Sequence, residues 1–125
     1  MSEYFSDYNE IYLVGHSLAG PCLGGVSVFP KNVKKIVLWD PAFEMQTTGK
    51  KIYEAGDSLM YQSSGKHIEI SETMREEFLQ DSFLDTLAKQ YFSKEHMFAI
   101  YADGDRHILN KPKTDALGIS SVIIE

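Results

Sequence analysis

Residues 11 to 20 read Ile11-Tyr12-Leu13-Val14-Gly15-His16-Ser17-Leu18-Ala19-Gly20, a short apolar strand that runs straight into a glycine, an isolated serine and a stretch of small residues. A serine hydroxyl attacks at neutral pH only if it is held clear of the backbone, within reach of a base, and beside donors that stabilise an oxyanion. A sharp turn from strand to helix meets these needs. It lifts the side chain to the top of the sheet and aims the NH groups of the first helical turn at the same point. Such a turn brings strand and helix close together and demands small neighbours. Gly15 lies two residues before the serine, Ala19 two after it, and Gly20 follows. Pro21 falls in the first helical turn, where its missing NH is least felt. The stretch therefore points to Ser17 as an attacking group. The plain alternative is a serine N-cap opening a helix that packs on a parallel sheet.

Gly15-His16-Ser17-Leu18-Ala19 resembles the G-x-S-x-G motif of the α/β-hydrolase family, with alanine in place of the last glycine. The motif is short, and its weight comes from the strand before it and the helix after it.

Working outward, the apolar runs are spaced as strands of a parallel sheet separated by helical or loop segments, the pattern of an α/β fold. Ile11 to Val14 is the first strand, followed by a helix from Leu18 to Phe29 that Pro30 stops. Lys35 to Trp39 is the second, ended by Asp40-Pro41, and His96 to Tyr101 the third, ended by Ala102-Asp103-Gly104-Asp105. Ile119 to Ile124 is the fourth. Residues 1–125 are thus expected to form one partial α/β-hydrolase domain, a mostly parallel sheet of about four strands with flanking helices. Residues 42–92 are read as a lid-like insertion. Its front part alternates in short pieces around Gly49, Gly56-Asp57 and Ser63-Ser64-Gly65, which predicts a small antiparallel hairpin or meander. From Thr73 to Phe92 the spacing turns helical, with Thr73 and Glu76 as a capping box and a break near Asp81-Ser82. The apolar stripe of this segment reads as core packing, or as the underside of a lid that binds an acyl chain.

The resemblance implies a serine hydrolase working through an acyl-enzyme on Ser17, with a carboxylic ester as the small-molecule substrate and the NH of Leu18 as an oxyanion donor. In this family the order along the chain is nucleophile, acid, histidine. Asp105 is the favoured acid, since the loop before it is rich in turn formers. Asp40, in an Asp-Pro-Ala setting after the second strand, is the alternative, and Asp103 is a third. Each carboxylate also has a structural reading, as a turn brace at Asp40 or an Asx turn around Gly104. The usual histidine would stand on the loop after the fourth strand, where this chain reaches Glu125. His16 flanks the serine, His67 lies in the insertion and His96 begins a strand at the far end of the sheet. His107 approaches from the correct side and is the remaining candidate base, although it stands only two residues past Asp105, a spacing at which an acid and its base rarely face each other. The second oxyanion donor would come from an earlier strand. The chain is therefore expected to cover the C-terminal half of a domain of roughly 250 residues. A reading of another class follows, in which a noncatalytic hydrolase-like module associates through an exposed edge strand. Acyl transfer to an alcohol or thiol would use the same intermediate as hydrolysis.

The bulk properties narrow the rest. The 125 residues are 43% hydrophobic and 24% charged with a net charge of -6, and basic residues cluster no further than the pairs Lys34/Lys35 and Lys50/Lys51. Neither nucleic acid nor a membrane is an expected partner. Cys22 is the single cysteine, which excludes an internal disulfide. The acidic, polar first ten residues carry no signal-peptide pattern, and a cytoplasmic location is expected. The histidines and carboxylates lack metal-ligand spacing, and no cofactor is expected. The first strand, left at an edge, is expected to pair with another copy of the chain.

Overall fold

The computed structural model describes residues 5–24, 26, 28–43, 49–63, 65–80 and 94–125. The chain divides into two compact units, residues 1–43 with 83–125, and residues 44–82.

The first unit is built on four parallel strands, β1 (Ile11–His16), β2 (Val33–Trp39), β6 (Met97–Ala102) and β7 (Ser120–Ile124), in the order β1-β2-β6-β7. Helix α1 (Ala19–Gly24) connects β1 to β2, and α3 (Lys111–Ala116) connects β6 to β7. Alternation along the strands sends one set of side chains into a core of Val33, Ile36, Leu38, Phe43, Met97, Ala99, Tyr101 and Ile119, with Leu13, Leu23, Ile108 and Leu117 packed against it. Burying an aliphatic or aromatic side chain of this size contributes about 1.5–3 kcal/mol, so the sheet is held mainly from this face. The opposite set is open. Tyr12 is 60% exposed, Val14 61% and Trp39 44%, and Val122 and Ile124 at the other edge are also exposed.

Helix α1 is shorter than the sequence predicts. It stops at Gly24 instead of reaching Phe29, and Val26 closes the end with an NH bond to the Leu23 carbonyl at 3.2 Å. Glycine and β-branched valine are weak helix formers, and here they outweigh the apolar spacing. Helix α3 has no counterpart among the sequence expectations, because six residues with Pro112 near the start give little periodicity. It is tied in through Thr114, whose hydroxyl donates to the Lys111 carbonyl at 2.9 Å and shares a 3.0 Å bond with the Tyr101 hydroxyl.

The second unit carries an antiparallel meander of β3 (Ile52–Ala55), β4 (Ser58–Ser63) and β5 (Lys66–Ile70), then helix α2 (Glu72–Gln80). The Ala55↔Ser58 pairing leaves a two-residue turn, and Gly56 at φ 63 supplies the left-handed backbone such turns require. Helix α2 is capped by Ser71, which accepts the NH of Met74 at 3.1 Å, and not by the Thr73/Glu76 box. A cap oxygen reaches the NH three residues on, and the helix begins at Glu72, which makes Ser71 the capping position. The expected continuation to Phe92 lies outside the described residues. Among the described residues, no helix is long and apolar enough to cross a membrane.

Candidate active site

β1 and β2 end side by side, and each leads into a non-glycine residue in left-handed backbone, Ser17 at φ 51 and Asp40 at φ 42. An L-residue held there stores about 1–3 kcal/mol of strain, which persists only where the surroundings over-determine it. They do so here. The Ser17 NH donates to the Trp39 carbonyl at 2.9 Å, and the Ser17 carbonyl accepts the NH groups of Gly20 at 3.2 Å and Ala42 at 3.1 Å. The Asp40 NH donates to the Ile100 carbonyl at 2.8 Å, and its carboxylate Oδ1 accepts the NH of Ala102 at 2.7 Å.

The small residues around Ser17 are required by contact. A methyl group added at Gly15 would lie 2.8 Å from the Ala19 carbonyl oxygen, and one at Gly20 would lie 2.9 Å from Pro41 Cβ. The backbone of α1 thus passes against β1 on one side and the loop after β2 on the other. Ser17 is half-buried, and among the described residues neither its hydroxyl nor the NH of Leu18 has a hydrogen-bond partner.

The other predicted site residues sort by strand end. Asp105 follows β6 and so leaves the same carboxyl edge of the sheet as Ser17, with β2 between them. At about 4.8 Å per strand, the roots of the two loops stand about 10 Å apart. Asp105 is half-buried; its NH closes a turn to the Ala102 carbonyl at 3.2 Å, and its carbonyl accepts the Ile108 NH at 3.1 Å. Asp103 is exposed, with its NH on the Ile124 carbonyl. Asp40 is 5% exposed and braces the loop that ends β2 against the end of β6.

His16 is exposed on β1, its ring edge-on to Trp39 with 5.5 Å between centroids. His96 lies in the short 3-10 helix before β6, at the amino edge of the sheet. His67 belongs to β5 of the second unit and bonds the Tyr53 hydroxyl. His107 falls in the 3-10 helix Arg106–Asn110, and its side chain lies outside the described residues.

Two contacts near the carboxyl edge had no signal in the sequence. Ala42 reaches back to Ser17, and the fully buried Asn110 donates its Nδ2 to the Pro41 carbonyl at 3.4 Å, tying the loop after β2 to the segment after β6. Beneath them, burial pushes the Tyr101 phenol up to about 12; its bond to Thr114 acts the other way, and the charges of Asp115 and Asp40 add to the rise.

Solved structures of the same shape carry these observations further. The chain superposes on the esterase domain of a Rhodothermus marinus protein with a TM-score of 0.68 and 17% identity, over 97% of its own length and 54% of that chain. It superposes on Est1E from Butyrivibrio proteoclasticus with a TM-score of 0.68 and 13% identity, over 98% of its own length and 54% of that chain. The chain has a partial α/β-hydrolase-like fold. No protein-family model matches the sequence, and no curated protein does. The chain spans about half the length of each of these esterases. Within this α/β fold, Ser17, Asp40 and Asp105 all stand at the carboxyl edge of the parallel sheet, where open α/β sheets build their sites.

Proposed function

We propose that this chain carries the nucleophile and acid of a serine hydrolase that cleaves carboxylic esters through an acyl-enzyme on Ser17. The observation that carries the reading is Ser17 itself, a non-glycine residue at φ 51 between a parallel strand and a helix, whose hydroxyl and the neighbouring NH of Leu18 have no hydrogen-bond partner among the described residues. The two esterase structures of the same fold support it.

In the proposed reaction, Ser17 Oγ attacks the ester carbonyl carbon while an imidazole takes its proton. The carbonyl oxygen becomes an oxyanion facing the Leu18 NH. Collapse breaks the bond to the alcohol oxygen, which leaves with the proton from the imidazole. Water then attacks the acyl-enzyme by the same route, releasing the acid and restoring Ser17. Asp105 orients the imidazole, and Asp40 remains a brace of the edge. Within the first unit, His16 lies edge-on to Trp39 beside the serine and His96 stands at the amino edge of the sheet, so neither is assigned the base. The proposal assigns the base either to His107 or to polypeptide beyond these residues.

Hydrolysis of a short-chain aryl ester by the purified chain, beside Ser17→Ala, tests the reading. Turnover that vanishes in Ser17→Ala supports it; equal background rates in both proteins overturn the claim that this polypeptide is active by itself.

A further inference from the structure

Among the described residues, the buried polar side chains are those of Asp40, Asn110 and Thr114, and their bonds bracket one segment of the chain. Asp40 accepts the NH of Ala102 where the segment leaves β6, Thr114 meets Tyr101 where it ends in α3, and Asp105 lies between. Asn110 is the third fastening, and its chemistry is unlike that of the other two.

Asn110 stands at the position that caps α3. Asparagine is among the best residues there, because its side-chain oxygen accepts an NH of the first helical turn. Here the side chain makes no such bond. Its Oδ1 is buried without a hydrogen-bond partner, and its Nδ2 reaches instead to the Pro41 carbonyl, 69 positions away in the sequence. An unpaired buried carboxamide oxygen is costly, and a local preference given up in this way marks positions that serve a site more than they serve stability.

The diverted side chain holds one peptide group. The Pro41 carbonyl and the Ala42 NH belong to the same planar unit and move as one body. The carbonyl accepts Asn110 at 3.4 Å, and the NH donates to the Ser17 carbonyl at 3.1 Å. A single rigid peptide therefore stands between the backbone of Ser17, held at φ 51, and the segment that carries Asp105. Asn110 and Pro41 are both fully buried, which keeps solvent from competing for the contact.

We propose that Asn110 is a positioning residue that sets Ser17 against the Asp105 segment through the Pro41–Ala42 peptide. It touches no reacting atom. The inference rests on the reading of Ser17 as nucleophile and Asp105 as acid, and extends it to a residue whose removal lowers rate more than stability. Misplacing a catalytic group by about 1 Å costs about 10²-fold in rate. Binding of the ester in its ground state makes no use of the acid, so the effect falls on kcat and not on KM.

Asn110→Leu tests the proposal, since leucine has the same branched outline with methyl groups in place of Oδ1 and Nδ2. It removes the tether and the unpaired oxygen together, so the urea midpoint is expected to stay at or above the wild-type value. In this variant the Ala42 amide is expected to exchange with solvent about 10-fold faster, while Ile36 and Leu38 in β2 keep their rates. The kcat for a short-chain aryl ester is expected to fall by about 10- to 100-fold with KM unchanged. Asn110→Asp, which keeps the shape but has no NH to give, is the second variant if leucine prevents folding, with the same changes expected in exchange and kcat. Unchanged exchange at Ala42 in a folded variant overturns the tether, and unchanged kcat overturns its part in the reaction. A fall in kcat that only follows a lower midpoint makes the role of Asn110 structural and overturns the proposal as well. A wild-type chain without Ser17-dependent turnover counts against the function proposed above, and the exchange measurement then decides the tether by itself.

Discussion

The carboxylate of Asp40 accepts the backbone NH of Ala102 at 2.7 Å, so the residue that ends β2 is fastened to the end of the strand that leads into Asp105. The acceptor is buried and the pair spans 62 positions of sequence. The bond holds two loops of the carboxyl edge together. Removing the acceptor leaves the Ala102 NH without its partner, a loss of about 1–3 kcal/mol. Asp40→Ala is expected to lower stability by that amount in urea unfolding, with part of any turnover retained by the folded fraction.

Asp105 is expected to behave differently. On the proposed role of Asp105 in orienting the imidazole, Asp105→Asn is expected to lower ester turnover by about 10²–10⁴-fold in a preparation that shows Ser17-dependent activity. Steady-state rates of Asp40→Ala and Asp105→Asn, measured on protein shown to be folded, decide between the two carboxylates; a larger loss at Asp40 would reverse the assignment.

Ser17 holds a backbone conformation that glycine adopts freely and alanine does not. Both substitutions remove the hydroxyl, which has no partner among the described residues, so the comparison isolates the strain. Ser17→Gly is expected to be more stable than Ser17→Ala by about 1 kcal/mol, the left-handed penalty less part of glycine's entropy. Denaturation midpoints of the two variants measure it.

Gly15 has no room for a side chain, because the near neighbours of an added methyl group include the Ala19 carbonyl, which belongs to backbone. Gly15→Ala is expected to lower stability by about 1–3 kcal/mol and to open the contact between β1 and α1. Gly104→Ala meets nothing within 4 Å but takes up the strain of φ 78, so its loss is expected to be about 1–2 kcal/mol, with the site edge otherwise intact. Thermal melts of the two variants, with ester turnover followed alongside, distinguish the crowded position from the merely strained one.

Tyr101 predicts a pH effect of definite sign. Burial holds its folded pKa at about 12, against 10.0 for the free side chain. Below pH 10 both states are protonated and the residue adds no pH dependence. As pH rises from about 10 toward 12, the unfolded chain loses this proton while the folded chain keeps it, so stability falls across that window. Tyr101→Phe is expected to remove that part of the slope, at the loss of one hydrogen bond to Thr114 worth about 0.5–1.5 kcal/mol at neutral pH. Urea unfolding of both proteins at pH 8, 10 and 11 is the measurement.

Much of the frame was legible in the residues. Ile11 to His16, Val33 to Trp39 and Met97 to Ala102 are strands, as apolar runs of that length between turn formers indicate. Gly15, Ala19 and Gly20 announced a close approach of strand and helix, since only small residues permit it. The antiparallel meander followed from glycine-bearing turns placed between alternating pieces. Local chemistry governs these features, and local chemistry is what a sequence displays.

Tertiary structure decided what depends on partners distant along the chain. Asp40 and Asp105 are both acids after strands, and sequence could rank them but not show that Asp40 holds the Ala102 NH, 62 positions away. The clasp of Ser17 by Trp39 and Ala42, the seat of Asn110 beneath Pro41, and the short α3 hung on Tyr101 likewise rest on contacts between segments far apart in sequence. The sequence by itself determined that a strained serine would end a parallel strand beside small residues, because backbone geometry is set by near neighbours. Only the folded sheet decided that β2 stands between this strand and β6, because pairing is defined by which strands meet across space and not by which follow along the chain.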